Sequence, residues 1–144
     1  MIKIALAALI ALSGIAEAKV FEIEVVIGDI IDGDSVKATV PSWPEPLRDI
    51  VIRVDGVDTP EKGARAKCAR EALAGEKATA FAKRFLIPGM KAKVALDTSR
   101  KDKFGRVLSD IKLADGRMYS RLLIDAGHAR AYNGGAKQSW CGVK

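Results

Sequence analysis

VFEIEVVIGDIIDGDSVKATV, residues 20–40, carries two β-branched runs split by a short polar turn. Val20 to Ile31 is rich in Val and Ile, with partial alternation at Phe21, Ile23 and Val25, and predicts a strand. Asp32-Gly33-Asp34 is a turn signal, and Ser35 to Val40 predicts a second strand. Outward from this pair, Pro41 to Pro46 holds three prolines in six residues and must be a loop. Asp49 to Val57 predicts a third strand, with Ile50, Ile52 and Val54 on one face, ended by Asp58-Thr59-Pro60-Glu61.

From about Ala64 to Ile87 the Ala, Glu, Lys and Arg content predicts a long helix. Ala74, Ala78, Phe81 and Phe85 form its apolar stripe, Gly75 weakens its middle and Pro88-Gly89 stops it. Ala92–Leu96 and Val107–Leu113 predict strands four and five, around a polar loop from Asp97 to Arg106. Ser120–Ala126 predicts a short helix capped by Ser120 and stopped by Gly127. After Tyr132 the chain is Gly-rich and polar, a mobile tail unless Cys141 pins it. Three strands, a helix, two strands and a closing helix is the order of an OB-fold. This is a mainly β, α+β class in which a five-stranded barrel has a long helix between strands three and four.

The N-terminus reads as an address. Met1-Ile2-Lys3 starts positive, Ile4 to Ile15 is almost wholly apolar, and Ala16-Glu17-Ala18 puts small residues at the cleavage-determining positions. This layout predicts a signal peptide over residues 1–18, cut before Lys19, leaving residues 19–144 as one domain. The apolar run is shorter than the ~20 residues that span a bilayer. Export to the periplasm or beyond the cell, with no stable membrane association after cleavage, is the expectation. An oxidising compartment favours a Cys68–Cys141 bridge over two free thiols. A loop of that length makes such a bridge worth roughly 4 kcal/mol in the chain-entropy model.

The 144 residues carry 24 Lys and Arg against 18 Asp and Glu, a net charge of +6, which favours polyanionic partners. One histidine and two cysteines exclude two-histidine mechanisms and zinc sites built from three or four His and Cys ligands. Hydrolytic chemistry must then run on carboxylates, basic side chains and a hard cation. Strands lie about 4.8 Å apart, so adjacent strand ends can bring Asp34 and Asp58 to one point. Two carboxylates and a backbone carbonyl suit calcium. Taken singly, Asp32-Gly33-Asp34 reads first as a plain turn, and Thr59-Pro60 as a helix start. Arg53 and Arg106 add guanidiniums, and Glu61 a third acid; together they suit phosphodiester cleavage.

Asp32-Gly33-Asp34-Ser35, then Arg53 to Glu61, then Asp102-Lys103-Phe104-Gly105-Arg106 resemble, in order and approximate spacing, the signature blocks of the staphylococcal nuclease (thermonuclease) family. The resemblance covers roughly residues 23–132. It implies an OB-fold and calcium-dependent cleavage of DNA and RNA, with in-line attack by water leaving 3′-phosphate ends. It implies Asp34 and Asp58 as calcium carboxylates, the Thr59 carbonyl as a further ligand and Asp32 as an outer partner. Glu61 would be the general base or orient the water, and Arg53 and Arg106 would clamp the phosphate. Lys103 would contact substrate. Tyr132 lies near an aromatic that stacks on a base in the family; here it is either that or a core or hinge residue. Ser35 stands for a usual Thr, and Phe104 replaces a frequent Tyr, removing a phenolic hydrogen bond to a terminal phosphate.

His128 reads as surface or packed, Trp43 and Trp140 as loop anchors, and Lys62, Arg65, Lys67 and Arg70 as a solvated helix face. A monomer is expected. The main competing expectation is a non-catalytic OB-fold that binds nucleic acid, which has no need for Asp34, Asp58, Glu61, Arg53 and Arg106 together. A basic protein bound to envelope polyanions predicts charge without the carboxylate cluster.

Overall fold

The computed structural model describes residues 19–100 and 102–142. The leader expected over residues 1–18 lies outside them. Strands β1 (Val20–Asp32) and β2 (Ser35–Thr39) form the hairpin expected from residues 20–40. β3 (Asp49–Val54) follows, then a two-residue β4 (Val57–Asp58), helix α1 (Ala69–Phe85) and β5 (Lys91–Asp97). β6 (Val107–Ser109), β7 (Ile111–Lys112), helix α2 (Tyr119–Asp125) and β8 (Arg130–Ala131) complete the chain.

The main sheet runs β6-β3-β2-β1-β5-β7, with β4 and β8 paired separately. β1 is long enough to serve two neighbours. Its first half pairs with β5 through Val20–Val26, and its second half with β2 through Val26–Asp32, with register shifts that bend it. β6 lies parallel to β3 and β7 antiparallel to β5, so the fifth strand joins both ends of the sheet and nearly closes the barrel. This is the expected OB-fold, with its fifth strand broken at Asp110. The break has a local cause. The Ser109 hydroxyl accepts the Ala95 N–H at 2.8 Å in place of a ladder carbonyl, and Asp110 Oδ1 takes the Ile111 N–H at 2.8 Å. The third strand is also shorter than expected, because Asp55-Gly56 turns the chain before Val57.

Alternation puts Val25, Ile27, Val36, Ala38, Ile52, Val54 and Val94 inside the barrel. Each fully buried Val or Ile contributes about 1.5–3 kcal/mol. Tyr119 and Leu123 of α2 plug one end, and Trp43 packs on the core from its loop, the anchor expected of it.

Helix α1 starts five residues later than the sequence suggests. Residues 63–65 form only a 3-10 turn, and Cys68 caps α1 by accepting the Glu71 N–H. Its buried ridge is Glu71, Gly75, Ala78, Thr79 and Ala82 rather than the expected stripe; Phe81 and Phe85 flank it half-buried. Small residues there let the helix approach the barrel closely. α2 begins at Tyr119 and is not capped by the Ser120 side chain. Asp110 Oδ1 instead accepts the Ser120 N–H at 3.0 Å. Cys68 and Cys141 form a disulfide, which pins the tail to the start of α1. No helix among the described residues is long and apolar enough to cross a membrane.

Candidate active site

The β2–β3 register sets Ser35 opposite Arg53, which carries the residue-34 turn to the far end of β3. There Asp34 Oδ2 accepts the Thr59 N–H at 3.0 Å and meets Arg53 Nη2 at 3.1 Å. One carboxylate thus joins the first acidic block to the residue after Asp58. Two glycines permit this approach. A Cβ on Gly33 would sit 2.9 Å from the Ala78 Cβ and 3.1 Å from Thr59. A Cβ on Gly75 would lie 2.4 Å from the Glu61 carbonyl oxygen. The residue expected to weaken the helix is therefore where the Glu61 backbone packs. Tyr119, fully buried, donates its hydroxyl to the Gly33 carbonyl at 2.9 Å and fixes the turn from below.

Arg53 is buried and held on three sides. Its Nη1 donates to the Val54 carbonyl at 2.6 Å and its Nη2 to the Val57 carbonyl at 2.9 Å, bracketing the Asp55-Gly56 turn. It lines an open groove of about 880 Å³ with Arg100, Lys103, Arg106, Tyr132 and Lys137. Arg106 reaches the same groove but pairs with Asp102, through Nε at 2.9 Å and Nη2 at 3.3 Å. The Asp102 hydrogen bond, and beyond it the charges of Asp34 and Asp32, hold the Arg106 guanidinium above its ordinary value. Lys103 is exposed on the groove wall; the Tyr132 hydroxyl donates to the Gly135 carbonyl at 2.8 Å.

Glu61 faces a second concavity of about 300 Å³, lined in part by Asp58, Thr59, Arg65, Lys137 and Trp140. Its side chain meets Arg65 Nε at 3.2 Å, and the same guanidinium reaches Asp32 at 2.9 Å. Arg65 therefore bridges two site carboxylates while staying solvated as expected, on a 3-10 turn instead of a helix face. Asp32 sits beside Asp34 and accepts its N–H at 3.2 Å. The buried Glu71 carboxylate accepts the Glu61 N–H at 3.2 Å and the Lys67 N–H at 2.8 Å, and so clamps the Glu61 loop to α1. His128 packs on Phe81 and takes no part.

Asp58 is the least expected member in its surroundings. It is buried, and the C-terminal tail covers it: Lys137 Nζ lies 2.7 Å from Oδ1, and Trp140 Nε1 donates to Oδ2 at 3.1 Å. Trp140 is an anchor, but one seated on a site carboxylate. Among the described residues, Oδ1 finds no hydrogen bond of good geometry beyond that ion pair. Asp34 is also under-compensated. Burial pushes its pKa up to about 6, against the pull of Arg53, and the Asp32 charge adds to the rise. Two buried carboxylates beside the backbone of Thr59 are an oxygen donor set suited to a hard cation. No cluster of three or more Asp, Glu, His or Cys placed to bind a metal exists among the described residues, so a cation here would rest on two carboxylates and a carbonyl.

Sequence reasoning missed Lys137, Glu71, Gly75 and the Arg65 bridge. Only the pairing of Trp140 with Cys141 hinted that the tail would be fixed. A family model described as staphylococcal nuclease homologue matches residues 51–140, well over half the chain, including Arg53, Asp58, Thr59, Glu61 and Arg106. No curated protein matches the chain.

Proposed function

The chain belongs to the staphylococcal nuclease family, and from that premise we propose that it is an exported, calcium-dependent nuclease acting on DNA and RNA with little sequence specificity. Membership carries a nuclease-like or nucleic-acid-binding function. The observation that favours cleavage is the Asp34 carboxylate, which joins Thr59 and Arg53 at one point. A module that only binds strands has no use for buried acids beside a phosphate groove.

In this reading Asp34, Asp58 and the Thr59 carbonyl hold the calcium, which when bound neutralises phosphoryl charge and polarises a phosphoryl oxygen. Arg53, fixed by two carbonyls, and Arg106, lining the same groove, donate to the non-bridging oxygens. Those bonds strengthen as charge gathers in the transition state. Glu61 takes a proton from the attacking water as its oxygen bonds to phosphorus. The bond from phosphorus to the 5′-oxygen breaks, that oxygen takes a proton from solvent water, and a 3′-phosphate and a 5′-hydroxyl remain. Arg100, Lys103 and Lys137 add positive charge along the groove, and contacts of this kind grip the backbone without reading bases. The leader-like N-terminus and the Cys68–Cys141 bridge support export. Lys103 and Tyr132 line the substrate groove, and the protein acts as a monomer.

The test is digestion of plasmid DNA and single-stranded RNA with calcium or with EGTA, followed by end-group analysis. Cleavage of both with calcium, 3′-phosphate ends and no cleavage in EGTA are expected. Retention of nucleic acid without cleavage would favour the binding-only reading.

A further inference from the structure

Asp58 presents its two oxygens to different neighbours. Oδ2 accepts the Trp140 indole N–H at 3.1 Å, while among the described residues the buried Oδ1 meets only the Lys137 ammonium, 2.7 Å away. Trp140 lies outside the barrel's apolar core, so its placement does not follow from core packing. Three connections put it there. The Arg130 guanidinium lies 3.8 Å from the centroid of the indole ring. Arg130 Nη1 donates to the Ser139 carbonyl at 3.0 Å, and Arg130 stands opposite Asp58 in the β4–β8 ladder. The next residue, Cys141, is tied to Cys68 at the head of α1.

We propose that Trp140 is a positioning residue for the cation carboxylate: its indole N–H fixes the rotation of Asp58, so that Oδ1 faces the cation. The proposal rests on the cation reading above. A carboxylate bound to a metal through one oxygen needs its other oxygen held, and losing such an outer hydrogen bond typically costs about 10–100-fold in metal affinity. Lys137 places its ammonium at Oδ1, and a calcium ion bound there must displace it. The two tail residues therefore act in opposite directions: Trp140 favours the cation and Lys137 competes with it.

Calorimetric titration of the full chain with calcium, alone and as Trp140→Phe and Lys137→Met, tests this. Trp140→Phe, which keeps an aromatic ring and loses the N–H, is expected to weaken calcium binding about tenfold or more. In the nuclease assay its loss is recovered by raising calcium. Lys137→Met is expected to tighten binding. Should Trp140→Phe fail to fold, Arg130→Met loosens the indole without touching Asp58 and is expected to weaken binding several-fold. Wild-type affinity in Trp140→Phe, or in Arg130→Met where that variant stands in, overturns the proposal. So does equal weakening by Lys137→Met, which marks general damage to the tail. No calcium binding by the wild-type chain refutes the cation reading itself, and this inference with it.

Discussion

Arg106→Met is expected to lower turnover of plasmid DNA by at least ~100-fold, the cost of removing one transition-state donor. Arg106 is the cleaner of the two guanidiniums to test. Its partner among the described residues is Asp102, in a partly exposed pair four residues apart, and such pairs contribute about 0–1 kcal/mol. Asp102 keeps the Phe104 and Arg106 backbone N–H groups after the change, so the turn should survive. Arg53 offers no such separation. It is buried against two carbonyls and Asp34, and its loss would leave those acceptors and a buried carboxylate unpaired, at several kcal/mol. Arg106→Lys should not restore the rate, because an ammonium cannot make the paired donation of a guanidinium. Initial rates with a thermal melt on the same sample check this. Near-normal turnover in a folded Arg106→Met protein would remove the residue from the mechanism.

Glu61→Gln is expected to cost about 10²–10⁴-fold in kcat, the usual range for a positioned base. The substitution keeps the length of the side chain and can still accept from Arg65. The Glu71 clamp and the Gly75 contact act on the Glu61 backbone, so the loop should stay in place. The effect then reads chemistry and not folding. Initial rates over a range of pH, with a thermal melt on the same sample, check this. A Glu61→Gln protein within a few-fold of wild type at every pH would contradict the role.

Some of this arrangement is written locally and some is not. The alternation of Val25 and Ile27, and of Val36 and Ala38, with the turn between them, is a period-two signal, and both strands appear where it places them. The two acidic blocks are legible because each ends a strand, and the register of β2 on β3 then leaves little freedom in where they meet. The break at Asp110 is not legible, since it depends on a hydroxyl and a carboxylate competing with the ladder. The start of α1 is hidden for a similar reason. Residues 64–67 have helical composition, but Glu71 holds the Glu61 and Lys67 N–H groups from within the helix, and the segment makes no more than a 3-10 turn. The cap of α2 comes from Asp110, ten residues away, while Ser120 turns its hydroxyl to that same carboxylate. Lys137 and Trp140 reach Asp58 across about eighty residues, by way of a disulfide whose partner composition cannot name.

In the proposed site Asp34 and Asp58 share one divalent cation. Calorimetric titration of the metal-free chain with calcium, near pH 7.5 and again near pH 5, tests it directly. One site is expected near neutral pH, lost in Asp34→Asn. Because burial holds the Asp34 proton up to about 6, that proton competes with the cation at lower pH. Affinity should then fall by up to about tenfold per pH unit below that value. Absence of binding near neutrality, or a site that Asp34→Asn leaves intact, would contradict the account.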